Sequence, residues 1–485
     1  MKTISNQSIK DAFMIGVLTF LISAGWALVS PPGSSPDEDA HFTTIWCQSE
    51  YGSKSCAEVP LGVVELGKCY FLDADALPTC QEEIPNTGAK PERILNQNLF
   101  YLTLSKFIDT QNIEKSIILM RIFNALILAL LVSSIVLISS QKVAYATVLG
   151  IMIVNIPLGY FIISSINSSA WPFIFTSILF PLFYNLMNWR SSILKSVIKI
   201  FLLIILFIIC QRVRPDISLF VAIYFITLLP FIFIFEAEWA KNFRSTKFYN
   251  SLLLTISIIL SFILVVFTWN RSNLVSFRDF EISAWETISR IPSIITGVFG
   301  GWGLGSLEVR MPSINYVLIL FVFLALLFRG LKFSNISQTT SLLLQLMFAF
   351  LIPLFVIIQS NLKVGEWFQP RYILPIFYGI TIHAIMINLN NLDRKIQLVP
   401  IAVISIISFA FALYTTARRY TIGLGNFDLN LKNDSSWWWG FQLLPNPITI
   451  IFISCLSYSM LWIYLYKRIK PTSMLFPQEF SKKTN

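Results

Sequence analysis

The sequence predicts an all-α polytopic membrane protein, and three observations carry that expectation. Hydrophobic residues make up 55% of the 485 positions and charged residues only 13%, well below the ~25% charged share of soluble domains. Apolar runs of about twenty residues recur along the chain, each long enough to cross ~30 Å of hydrocarbon as a helix. The two-residue alternation of a membrane barrel is absent. Backbone groups in lipid need internal partners, so helices are the expected crossing form. One integral membrane domain, 1–485, is expected.

The candidate spans, in order, are 12–30, 117–139, 143–163, 171–188, 197–211, 217–236, 251–269, 314–329, 341–360, 372–389, 398–416 and 447–466. The first, Phe13 to Val29, runs into Pro31-Pro32, which disfavours cleavage, so it reads as a retained span or signal anchor. About 12 spans place both termini on one side. Lys and Arg near span ends set the orientation. Arg190/Lys195/Lys199, Lys241/Arg244/Lys247, Arg329/Lys332, Arg394/Lys395 and Lys467/Arg468/Lys470 put the termini in the cytoplasm. The net charge of +10 has the same origin. No basic patch with interleaved aromatic residues supports a nucleic-acid partner.

The long segment 31–115, between the first and second spans, is thereby external. It holds Cys47, Cys56, Cys69 and Cys80, among acidic and polar residues. Four such cysteines suit two disulfides in an oxidising compartment, in any of three pairings. The tight Cys-x-x-Cys spacing of a zinc site is missing.

The unusual polar residues gather on the same external side. Directly after the first span come Pro31-Pro32-Gly33-Ser34-Ser35-Pro36-Asp37-Glu38-Asp39-Ala40-His41-Phe42. Prolines end the preceding helix and stiffen the approach, fixing Asp37 and Glu38 near the membrane plane. A carboxylate held there can take a proton from a hydroxyl nucleophile. The same stretch also reads as a helix N-terminus with Pro in its first turn. Three adjacent carboxylates offer Mg or Mn a partial ligand set, without a complete one in sight. Further along, Ser164–Ser169 surround Asn167, and Arg212, Arg214 and Arg371 stand at outer span ends. Guanidinium forks match phosphate oxygens, although interfacial arginines also snorkel to ordinary headgroups.

The run Gly300-Gly301-Trp302-Gly303-Leu304-Gly305 lacks the Gly-Lys-Ser/Thr ending of a nucleotide loop and reads as a loop close to the membrane. Trp437-Trp438-Trp439 reads as an interfacial belt. His383, within an apolar run, reads as a core histidine. Charge inside the spans is scarce, which favours a superficial site over a transport path at the midplane.

The order Pro-Asp-Glu-x-x-His-Phe, Asn-x-Ser-x-x-x-Pro, Arg-Pro-Asp, a Gly-Trp-Gly loop ending in Pro, Arg-Tyr-x-x-Pro and a late Arg-Tyr resembles the bacterial multi-pass family known as domain of unknown function 2142. The resemblance covers residues 12 to 425. That family is similar in architecture to the GT-C glycosyltransferases, which use lipid-phosphate sugars and place an acidic residue of the first external loop beside the acceptor. The resemblance implies Asp37 as general base, with Glu38 second. His41, Asn167, Arg212, Arg214, Arg371, Tyr372, Arg418 and Tyr420 form the substrate-binding set.

The expected activity is inverting sugar transfer in the inner (cytoplasmic) membrane, on its periplasmic or exterior side. A polyprenyl-phosphate-linked donor serves a glycan or lipid-linked acceptor, among membrane lipids. Rival readings are a flippase for lipid-linked saccharides, a surface-polysaccharide ligase or polymerase, and a non-catalytic assembly subunit.

Overall fold

The computed structural model describes residues 5–49, 56–84, 87–187, 193–233, 284–359, 368–390, 395–426, 428–431, 438 and 444–469. It is a helical bundle. Its long helices are α1 (Asn6–Val29), α4 (Ile113–Ile138), α5 (Gln141–Val154, continued after a break by Tyr160–Ile163), α6 (Ala170–Met187), α7 (Ile193–Val213), α8 (Ile217–Phe233), α9 (Ala284–Val298), α10 (Ser313–Phe333), α11 (Ile336–Gln359), α12 (Leu374–Asn390), α13 (Val399–Thr421) and α14 (Pro447–Arg468). Two short helices, α2 (Glu38–Gln48) and α3 (Leu99–Leu104), lie between α1 and α4.

Nine helices among the described residues are long and apolar enough to cross a membrane; α6, α8 and part of α9 are shorter apolar helices. Eleven of the twelve expected runs are therefore helical over their described residues, and the run at 251–269 lies outside the described residues. The expected run 197–211 extends to Ile193–Val213, which makes it long enough to span.

The helices form where the sequence is apolar on every side, as buried or lipid-facing helices are. α5 and α12 are almost wholly buried and pack on each other at the centre, while α1 lies along α4 and α14. Small residues permit the closest crossings, as lipid-embedded helices require: a Cβ on Gly16 would stand 2.1 Å from the Ser133 hydroxyl oxygen of α4. The break in α5 falls at Ile156-Pro157, where Ile156 leaves the helical region.

At the end of the bundle where α1 begins and α14 ends, Asp11 accepts hydrogen bonds from Gln7, Tyr145 and Tyr464 and pairs with Arg468 at 3.1 Å. This ties the first and last helices together. The opposite end carries the 31–115 segment. It is built from α2, the antiparallel pair β1 (Val59–Pro60) and β2 (Gly88–Ala89), single turns and α3. The structure settles the pairing left open by the sequence: Cys47 bonds Cys56, and Cys69 bonds Cys80. Arg419, fully buried at the end of α13, donates to the carbonyls of Tyr70, Asp73 and Ala76, and so clamps the segment onto the bundle.

Non-reducing peptide mapping should recover the cross-linked pairs 47–56 and 69–80. Replacing Cys69 and Cys80 with Ser should lower the unfolding midpoint, given the ~2–4 kcal/mol typical of a native disulfide.

Candidate functional site

Two charges hold the site's frame. Arg121 sits on α4 and Glu38 opens α2; their side chains are 0% exposed and pair at 2.7 Å. Arg121 also donates to the carbonyls of Ala27, Ser30 and Pro31 at 3.1, 2.6 and 3.0 Å, closing the free C-terminus of α1. Glu38 accepts from the backbone N–H groups of Gly33, Ser35 and Ile166 at 3.0, 3.2 and 2.8 Å.

The turn between α1 and α2 is thereby fixed to α4 and to the turn after α5. Gly33 is required within it: at φ +84° its Cβ would meet the Gly67 Cα at 2.5 Å. The Ser165 hydroxyl lies 2.9 Å from that of Ser35, and Asn167 donates to the Pro36 carbonyl at 3.0 Å.

Asp37 caps α2 with its backbone in the left-handed region, φ 58° and ψ 19°, and its side chain makes no capping bond. Its carbonyl takes the first helical hydrogen bond, from the His41 N–H, while the carboxylate faces a pocket of about 260 Å³. Asp37, His41, Tyr101, Asn167, Arg214, Arg371 and Tyr372 line it, together with Arg93, Leu95, Asn96, Asn98, Ser168 and Ser169. Arg93 pairs with Asp37 Oδ1 at 2.8 Å, and Arg371 Nη2 stands 3.6 Å from Oδ2. Arg214 is braced by Asp216 at 2.6 Å and donates to Ser169 at 2.7 Å. The Tyr372 ring lies 5.5 and 5.8 Å from the Arg371 and Arg214 guanidinium carbons, within cation–π range.

The electrostatics are set by burial against charge. Burial pushes the Asp37 carboxyl upward, but the Arg93 hydrogen bond and the Arg371 and Arg93 charges outweigh it and hold the group below its ordinary value. Burial pushes His41 down to about 3, so its ring is neutral at neutral pH. His41 Nδ1 shares a 2.7 Å hydrogen bond with the Tyr101 hydroxyl, which burial raises to about 12.

A second, narrower cleft of about 40 Å³ adjoins the pocket. Its walls are mostly apolar: Pro36, Leu158, Phe161, Ile162, Trp302, Leu307 and Pro370, with glycines of the 297–305 stretch. Arg371 lines both cavities.

The structure thus gathers Asp37, His41, Asn167, Arg214, Arg371 and Tyr372 from the sequence-derived set. It corrects four others. Glu38 does not reach the pocket, because all its acceptor capacity is taken by Arg121 and three backbone N–H groups. Arg212 is exposed on α7 and does not line the pocket. Arg418 reaches the Asn426 carbonyl instead. Tyr420 is buried and donates to Glu308 at 3.1 Å, a carboxyl whose proton affinity burial raises.

The carboxylate cluster also separates. Asp37 faces the pocket and Glu38 the core, while Asp39 does not line the pocket and burial holds its carboxyl above its ordinary value. No three of His, Cys, Asp and Glu that could hold a metal ion converge among the described residues.

Trp438, expected in an interfacial belt, is buried, with its indole N–H on the Leu28 carbonyl at 3.2 Å; Trp437 and Trp439 lie outside the described residues. His383 is a core residue as expected, packed near Phe180 and Tyr184 with the Ser341 hydroxyl 3.4 Å away.

Sequence reasoning missed Arg93 and Arg121. Arg93 sits in an irregular stretch with no pattern to mark it. Arg121 had a signal: a lone charge five positions into an apolar run, which is expensive unless partnered.

A family model described as predicted membrane protein (DUF2142) matches residues 20–380. No curated protein and no solved structure matches the chain.

Removing one member of a buried pair strands the other, at a cost of ~3–5 kcal/mol. Glu38→Gln and Arg121→Met should therefore each lower the yield of monodisperse protein and its thermal midpoint in detergent. Asp37→Asn should leave both close to wild type, because Asn tolerates the left-handed backbone.

Proposed function

The chain belongs to the DUF2142 family of predicted membrane proteins, and we propose that it is a membrane glycosyltransferase using a polyprenyl-phosphate-linked sugar. The observation that carries this reading is Arg371, which lines both a polar pocket and an apolar cleft. An amphiphile with an anionic junction fits that shape. Its chain enters between Pro36, Phe161, Ile162 and Trp302, its phosphate meets Arg371 and Arg214, and its sugar faces Asn96, Asn98, Asn167 and Ser168. The pocket is slightly smaller than drug-sized sites of ~300–1,000 Å³, which suits a single saccharide unit.

Asp37 acts as the general base. An acceptor hydroxyl loses its proton to the carboxylate as its oxygen attacks the anomeric carbon. The bond from that carbon to the phosphate oxygen breaks, and its electron pair leaves with the phosphate. Attack opposite the leaving group inverts the anomeric centre. Arg371 and Arg214 stabilise the charge that grows on the departing phosphate, the electrostatic half of catalysis. His41, neutral and bonded to Tyr101, orients the wall behind Asp37. The acceptor is a surface glycan or lipid-linked saccharide.

Placement follows the same logic. Both disulfides and the pocket lie at one end of the bundle, and disulfides persist in oxidising compartments. The pocket accordingly faces the periplasm or exterior of a bacterial inner membrane, with both termini cytoplasmic.

In proteoliposomes supplied with a polyprenyl-phosphate-linked sugar and an acceptor, Asp37→Asn should lower transfer by ~10²–10⁴, the usual contribution of a general base. Arg371→Gln should lower it by ~10²–10³. Full transfer by folded Asp37→Asn protein would end this reading.

A further inference from the structure

The donor reading leaves one contact unexplained: the base is already held by Arg371, a group assigned to the phosphate. Arg93 and Arg371 approach the two oxygens of Asp37 at 2.8 and 3.6 Å, so the carboxylate sits where an anion would bind. Building on the proposed donor chemistry, we propose that Asp37 is an internal stand-in for a phosphate: it occupies the anion seat in the resting protein, and an incoming phosphate group displaces it, releasing it to act as base.

Three observations support the exchange. First, Arg371 is only 6% exposed, yet its Nε has no hydrogen-bond partner and its ion pair with Asp37 is longer than a hydrogen bond. A buried guanidinium left so incompletely partnered is costly, and a phosphate oxygen would complete it. Second, the contact that holds Asp37 most closely is the easiest to give up. Arg93 and Asp37 have side chains 61% and 38% exposed, and solvent-screened pairs of this kind are weak. Arg93 stands in a stretch without helix or strand, which leaves its backbone free of ladder bonds. Third, three guanidiniums face two carboxylates, Asp37 and Asp216. The site therefore keeps a positive excess that a phosphate neutralises.

The consequence is an order of events. While both guanidiniums hold Asp37, its proton affinity is suppressed. A phosphate that takes over Arg371 removes one of the groups that suppress it and adds a negative charge nearby, and both changes raise carboxylate basicity. The base strengthens only after the phosphate has bound, so the donor precedes the acceptor, and an acceptor alone meets a weak base.

The test is a titration of full-length protein in detergent micelles with farnesyl phosphate, inorganic phosphate and the neutral alcohol farnesol, read by calorimetry. Asp37→Asn removes the competing anion and should bind farnesyl phosphate about tenfold or more tightly than wild type, because like charges forced together are strongly unfavourable. Asp37→Gly, which suits the left-handed backbone, should show the same gain and guards against a folding defect in one variant. Farnesol affinity should not change in either, and Arg371→Gln should weaken farnesyl phosphate binding.

A matching gain for inorganic phosphate identifies the phosphate group alone as the displacing ligand. A gain confined to farnesyl phosphate identifies a lipid-borne phosphate seated through the apolar cleft. Equal or weaker farnesyl phosphate binding by both Asp37 variants overturns the proposal. The two readings also fail separately. Tighter binding without any sugar transfer keeps the anion seat and removes the transferase; sugar transfer without the gain does the reverse.

Discussion

The buried ion pair between Arg121 and Glu38 is the constraint on which the outer end of the molecule depends. It joins the end of α1, the start of α2, the third turn of α4 and the loop after α5 through one guanidinium and one carboxylate. Two ions taken out of water favour the fold only when their geometry is good and their remaining hydrogen-bonding capacity is met. Both conditions hold here: three backbone carbonyls accept from Arg121 and three backbone N–H groups donate to Glu38. The prolines and glycine of the 31–36 turn limit the chain's freedom, and the pair then selects one arrangement from what remains.

That arrangement explains why two neighbouring acids do different work. Glu38 turns inward and is consumed by structure. Asp37, one residue earlier, is forced into a left-handed conformation that aims its carboxylate the other way, into the polar pocket. The helix ends of the bundle then deliver Arg214 and Arg371 from the turns before α8 and α12, while the disulfide-bonded segment delivers Arg93 and Asn98. The pocket is thus assembled from segments more than 270 residues apart, with the bundle as its rigid floor and the 31–115 segment as its roof. The apolar cleft beside it gives the site its amphiphilic shape, and Arg371 stands at the junction.

The fold was largely legible in the sequence because lipid imposes one rule, that long apolar runs become helices. Eleven of the expected runs are helical in the described residues for that reason. The site was legible only in part. Asp37, Arg214 and Arg371 stood out because charge beside a span is conspicuous. Glu38 was misplaced because adjacent acids look alike until the left-handed turn at Asp37 separates them. Arg418 and Tyr420 were drawn in by the recurrence of an Arg-Tyr pair, yet Arg419 between them points inward as a clamp on the loop. Arg93 could not be found, since its role arises from a fold-back of the segment onto α2. Arg121 could have been found by asking what neutralises a lone charge inside a span. The disulfide pairing required the path of the loop in space, because spacing alone allows every combination.

In the proposed function one guanidinium, Arg371, connects an anion pocket containing the base to a cleft for a lipid chain. The most direct measurement is a cryo-electron microscopy map of the protein in nanodiscs with a bound polyprenyl-phosphate analogue. The expected map shows density for the phosphate between Arg371 and Arg214, density for the chain along Phe161, Ile162 and Trp302, and an Asp37 carboxylate no longer paired with Arg371. A phosphate bound elsewhere on the bundle, with the Asp37–Arg371 pair intact, would contradict it.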